Sequence, residues 1–166
     1  MNKVEQQIQV FIHPRFINND FEFHVRKKAE DLLIGEYFNG YGYVTKLCKV
    51  VSIKGGKAGL YSTEISFDVR VLLEFLNPLN GNTYDMTLGS LSSGGAFMEY
   101  ENLFRVFVSL TRMHKGSNID LERNELRLTR PIGDYTIHTR GAKMKVIILS
   151  SKTMNNVQYY VGDIVG

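Results

Sequence analysis

The sequence predicts a mostly β protein of the α+β class in two parts: a three-stranded sheet backed by one helix, then a five-stranded barrel. Three observations carry this. In residues 64–75, Ile65, Phe67, Val69, Val71, Leu73 and Phe75 fall on one face, and Glu64, Ser66, Asp68, Arg70 and Glu74 on the other. Only Leu72 breaks that alternation, and a period of two is a strand signal. Next, Leu76-Asn-Pro-Leu-Asn-Gly81 must end the strand, because proline lacks a ladder donor and Asn-Gly favours a turn. Finally, residues 87–109 read strand, glycine bend, strand, short turn, strand.

The first part opens with Gln7-Ile-Gln-Val-Phe-Ile12, a strand ended by His13-Pro14. Asn18-Asn-Asp20 is a helix start, with Glu22 in a capping-box-like position three residues after Asn19. Phe21, Val25, Ala29, Leu32 and Leu33 recur at helical spacing, and Gly35 with the cluster Asn39-Gly-Tyr-Gly42 closes the helix. Residues 43–53 are rich in valine, threonine and tyrosine and predict a second strand. Lys54-Gly-Gly-Lys-Ala-Gly59 reads as a flexible basic loop, and the alternating run from Glu64 is the third strand. A sheet of these strands covers the helix face most economically.

In the second part, strands are expected near residues 84–91, 95–100 and 103–109, then over 143–149 and 157–165. A polar stretch, 111–141, separates the third from the fourth; its middle, 119–129, reads as either a short helix or a loop. Five strands with a long excursion after the third fit an OB-type barrel. The domains are expected at 1–80 and 81–166.

Composition narrows the function classes. The chain has 166 residues, 43% hydrophobic and 22% charged, ordinary values for a globular protein with a sizeable core. A net charge of +3 permits nucleic-acid contact without demanding it. Cys48 is the single cysteine, which excludes an internal disulfide and allows a reducing compartment. No apolar run is long enough for a membrane helix, and the N-terminus lacks the apolar core of a signal peptide, so an intracellular protein is expected.

The residues offer little for catalysis. His13, His24, His114 and His138 show no metal-ligand spacing. Asp20/Glu22 and Glu30/Asp31 suit a helix start and a solvated helix face. Lys54-Gly-Gly-Lys-Ala-Gly59 lacks the Gly-Lys-Ser/Thr ending and following helix of a phosphate loop, and Ser92-Ser-Gly94 has no nucleophile-elbow frame. A non-catalytic protein without cofactor or metal is expected.

Aromatic residues are a better lead. Phe97 and Tyr100 differ by an odd number and so point to opposite faces, as do Phe104 and Phe107. Either all four are barrel core, or one of each pair is core and the other is free to stack on bases. Basic residues between Arg105 and Lys145 read either as a solvated rim or as a phosphate track, interrupted by Asp120, Glu122 and Glu125.

Several motifs carry a family resemblance that spans nearly the whole chain. The most specific is Phe67-Asp-Val-Arg-Val-Leu-Leu-Glu-Phe-Leu-Asn-Pro78, followed by Leu79-Asn-Gly81. Ile8-Gln-Val-Phe-Ile-His-Pro14, Gly40-Tyr-Gly-Tyr43, Gly95-Ala-Phe-Met-Glu99 and Val106-Phe-Val-Ser109 add to it. Together they resemble the stalk subunit of DNA-directed RNA polymerases, the polymerase II seventh-subunit family with its archaeal counterpart. The last two motifs resemble signature strands of its S1-type RNA-binding barrel. The resemblance implies a tip domain that docks on the polymerase core through Lys54, Gly55, Gly56, Lys57 and Tyr61, with Ala58 and Gly59 allowing close approach. It implies a heterodimer with a small helical partner, for which Leu72 and Leu76 are the candidate surface. It also implies weak contact with nascent single-stranded RNA through Phe107, Arg105 and Phe97, extended by Lys143 and Lys145. The departures are Gly94 where such barrels often carry phenylalanine, Phe107 where they often carry histidine, and Met86 where the family usually has glycine. The family's tail beyond the last strand is expected to be missing. This divergence fits a fast-evolving lineage such as a large DNA virus, which would place the protein in the host cytoplasm or virion instead of the nucleus.

Overall fold

The computed structural model describes residues 2–58, 63–155 and 157–165. The chain divides into two units, Met1–Asn77 and Pro78–Gly166.

In the first unit, β1 (Asn2–Ile12) begins at Asn2, well before the expected Gln7. A partner strand is available along its whole length, and Val4 and Ile8 alternate with exposed Lys3, Glu5 and Gln7. His13 and a 3₁₀ turn, Pro14–Phe16, follow; His13 Nδ1 accepts from the Arg15 N–H at 3.2 Å. Helix α1 (Phe21–Leu33) buries Val25, Ala29 and Leu33. The expected capping box does not form: Asp20 is the cap residue and makes no side-chain cap bond. Asn18 Oδ1 instead accepts from the Asp20 N–H at 2.8 Å, which draws the preceding turn tight. Leu32, expected on the buried face, is 47% exposed. It sits about 60° round from Ala29, whereas Leu33 sits about 40° the other way, on the side the sheet covers.

A fourth strand, β2 (Tyr37–Phe38), lies between Gly35 and the 39–42 cluster, so the sheet has four strands and not the expected three. It pairs with the start of β3 (Gly42–Ala58), Phe38 opposite Gly42. Gly42 has φ +103°, and a Cβ there would lie 2.4 Å from the Leu76 carbonyl oxygen, so only glycine fits. β3 pairs with β4 (Ile65–Leu76) to its last residue, including Lys54 opposite Asp68 and Lys57 opposite Ser66. Residues 54–58, expected as a flexible loop, are therefore strand. The long alternating β4 offers them a partner, and a bulge between Gly55 and Lys57 absorbs the left-handed glycines. The sheet order is β1-β4-β3-β2. The alternating apolar face of β4, from Phe67 to Phe75, meets Val25, Ala29 and Leu33 in one core with Val10, Ile12, Val44 and Leu47.

The second unit contains β5 (Thr83–Ser92), β6 (Gly95–Tyr100) and β7 (Phe104–Ser109), then a 3₁₀ turn. The excursion is a small antiparallel sheet, β8 (Asn118–Asp120), β9 (Glu125–Thr129) and β10 (Tyr135–Thr139). The stretch 119–129, read as helix or loop, is thus mostly two short strands. Their turn is set locally: Asp120 Oδ1 accepts from the N–H groups of Glu122 and Arg123 at 3.1 Å each, and Asn124 takes φ +56°. β11 (Lys143–Met154) and β12 (Val157–Val165) complete a closed five-stranded barrel, order β11-β12-β7-β6-β5. β11 closes it on β5, and only the β12–β7 neighbours run parallel. Closure removes exposed strand edges. Met86, Leu88, Met98, Val106, Val146 and Ile148 are buried inside, each 1% exposed or less. The arrangement is consistent with an OB-like fold. No helix among the described residues is long and apolar enough to cross a membrane.

Candidate nucleic-acid interface

β7 alternates along its length, and β6 does so from Ala96 to Glu99. Ala96 and Met98, with Phe104, Val106 and Val108, are buried; Phe97, Glu99, Arg105 and Phe107 take the opposite positions and are less buried. Antiparallel register puts Phe97 opposite Phe107, ring centroids 5.0 Å apart and planes tilted by 50°. Gly95 makes room for this: a Cβ there would lie 2.8 Å from Phe107 Cζ. The other aromatics join a different cluster. Tyr100 stacks on Phe104 at 5.2 Å, and both rings contact Tyr84. Burial, followed by the nearby Glu101 charge, raises the Tyr100 pKa. The odd-spacing expectation thus separates outward Phe97 and Phe107 from Phe104 and Tyr100.

Arg105 lies two residues along β7 from Phe107, opposite Glu99, with Nη2 3.2 Å from Oε1. The guanidinium is therefore beside a carboxylate, a relationship not visible in sequence. Glu99 also covers Gly89, where a Cβ would meet its Oε1 at 2.7 Å. Register continues from Glu99 to Thr87 on β5 and from Thr87 to Lys143 on β11. Lys143 thus shares a circumferential row with Arg105, two strands intervening. Lys145 is two residues along β11, between Asp85 and Val165. Both lysines are exposed, and neither has an ion pair within 4.0 Å among the described residues. The structure joins Phe97, Phe107 and Arg105 closely, and the two lysines only through the barrel wall.

Most of the arginines in the polar stretch 111–141 are engaged nearby. Arg112 grips Asp163 with two bonds, 2.7 and 3.0 Å, across 51 residues of chain. The hydrogen bond to Asp163, then that residue's charge, raises the Arg112 pKa. Arg130 grips Asp134 at 2.9 and 2.6 Å, Arg123 approaches Asp120 at 3.9 Å, and Arg127 lies 4.5 Å over the Tyr135 ring. These contacts leave fewer bare cations than the sequence suggests.

In the first unit, Lys54, Gly55, Gly56 and Lys57 are exposed on the end of β3, and the Lys57 carbonyl accepts from Ser66 Oγ at 3.3 Å. Tyr61 lies outside the described residues. Leu72 is half-buried between the register positions of Glu5 and Lys49. Among the described residues, no group of three or more His, Cys, Asp or Glu side chains is placed to hold a metal ion.

An outward aromatic pair beside a guanidinium offers a stacking platform for unpaired bases and a point charge for a phosphate. Sequence reasoning missed that Lys143, already an RNA-contact candidate, lines one groove with Arg130 and His138. Their positions are scattered along the excursion and β11, and no spacing signal joins them. In comparisons with protein-family models and with curated proteins, no match to the chain was found.

Proposed function

We propose that the chain is a non-catalytic stalk subunit of a multisubunit DNA-directed RNA polymerase, with an S1-type barrel that contacts nascent single-stranded RNA. The observation that carries this reading is the order of parts. A helix-on-sheet unit ends on a long alternating strand at Leu76, and a closed barrel with the Phe97–Phe107 pair on its wall follows. That order agrees with the motif resemblance at 67–81 and 95–109. In this reading the first unit docks on the core enzyme through the β3 end that carries Lys54 and Lys57. Leu72 and Leu76 meet a small helical partner, and the protein works inside the cell, in the nucleus or, for a viral enzyme, in host cytoplasm or virion.

Affinity capture of the tagged chain, followed by mass spectrometry, tests the proposal. Large polymerase subunits and one small helical protein are the expected partners. Ribosomal particles in their place would favour a free-standing RNA-binding protein.

A further inference from the structure

The excursion sheet and the barrel wall enclose a groove of about 500 Å³, within the size range of small-molecule sites. One side is formed by Leu128, Arg130, Thr136 and His138, the other by Met144, Ile164 and the two lysines, Lys143 and Lys145. No carboxylate lines it, although the chain carries 17 acidic residues. Arg130 is held by Asp134, but Lys143 and Lys145 make no ion pair among the described residues. His138 Nε2 lies 2.8 Å from Thr136 Oγ1, a polar pair on the groove side. Cations and a hydrogen-bonding pair beside Leu128, Met144 and Ile164 match a ligand with an anionic end and a flat, weakly polar end.

We propose that this groove holds one nucleotide of a single-stranded RNA, its phosphate against Lys143 and Lys145 and its base between Leu128 and Met144. The proposal rests on the RNA reading of the barrel and adds a second contact to it. A bound strand has a route: the register row Arg105–Glu99–Thr87–Lys143 leads from the Phe97–Phe107 pair to the groove mouth. Three strand steps of about 4.8 Å make this path roughly 14 Å along the wall. The same RNA thus stacks on the aromatic pair and enters the groove.

Fluorescence anisotropy with a labelled, unstructured oligouridylate at several salt concentrations tests this on the full chain. Lys143→Gln/Lys145→Gln is expected to weaken binding and to lower the salt slope by about 1.4, two phosphate contacts at ~0.7 each. Leu128→Ala is expected to weaken binding with the slope unchanged. Photo-crosslinking of a thiouridine-containing RNA should mark peptides from β9 or β11 as well as β6 or β7. If the lysine variant binds like wild type and crosslinks stay on β6 and β7, the groove proposal is overturned while the RNA reading stands. If wild-type protein binds no RNA at low salt, both fall. If free uridine monophosphate binds the groove as tightly as the oligonucleotide, the groove serves a free nucleotide and the shared path is overturned.

Discussion

Arg105 Nη2 lies 3.2 Å from Glu99 Oε1 on the strands that carry Phe107 and Phe97. A carboxylate therefore stands beside the cation of the proposed RNA platform. Glu99→Gln should release Arg105 and strengthen RNA binding at low salt, with a steeper salt dependence. Arg105→Ala should change affinity little while Glu99 is present. Weaker binding by Glu99→Gln in the anisotropy titration would mean that the carboxylate positions Arg105 instead of competing for it.

Phe97→Ala and Phe107→Ala should each weaken RNA binding by about 1–3 kcal/mol, roughly five- to 150-fold, with the salt slope unchanged. Phe104→Ala provides a contrast. Its ring is buried against Tyr84, Tyr100 and Tyr160, so this change should lower stability by about 3–5 kcal/mol, read from chemical denaturation.

Gly42 and Gly40 separate a required glycine from a convenient one. Both have positive φ, +103° and +88°, but only Gly42 faces backbone at a distance no Cβ tolerates. Gly42→Ala should destabilise the first unit by well over ~1 kcal/mol, and Gly40→Ala by much less. Equal losses in thermal melts of the two variants would remove the steric argument.

Leu72 and Leu73 are neighbours with opposite surroundings. Leu73 is fully buried beneath α1, so Leu73→Ala should cost about 2–5 kcal/mol of stability. Leu72 is half-buried on the opposite side of the strand, so Leu72→Glu should leave the fold intact and prevent capture of the proposed small helical partner. A Leu72→Glu protein that still captures the partner would place that interface elsewhere. On the proposed docking through the β3 end, Lys54→Ala/Lys57→Ala should likewise abolish capture of polymerase core subunits by a folded protein.

His138 makes stability pH-dependent. Burial lowers its pKa from the ordinary 6.5. The charged and titratable groups around its groove, Arg130, His114, Lys143 and Lys145, are all basic. Below pH 6.5 the unfolded chain takes up a proton that the folded chain still refuses. The stabilising contribution is thus complete above that value and is lost as pH falls toward the folded pKa. Melting temperatures across this window should fall more for wild type than for His138→Gln; parallel curves would show that other groups set the acid sensitivity.

Local chemistry alone determined a large share of this molecule. The period of two in 65–75 marked both the strand and its core face, because alternation follows from the backbone pleat. Pro78 and Gly81 marked where β4 had to stop. Odd spacing separated Phe97 from Tyr100 and Phe107 from Phe104 before any partner strand was known. Tertiary structure decided what depended on distant partners. Residues 54–58 are strand because β4 lies beside them, β2 forms against the start of β3, and β8 and β9 form against each other. The side on which Leu32 falls depends on which flank of α1 the sheet covers. The Glu99–Arg105 pair, the Arg112–Asp163 grip and the basic groove depend on register between strands far apart in sequence. A backbone hydrogen bond or an ion pair needs both of its groups in place, and a sequence displays the groups singly.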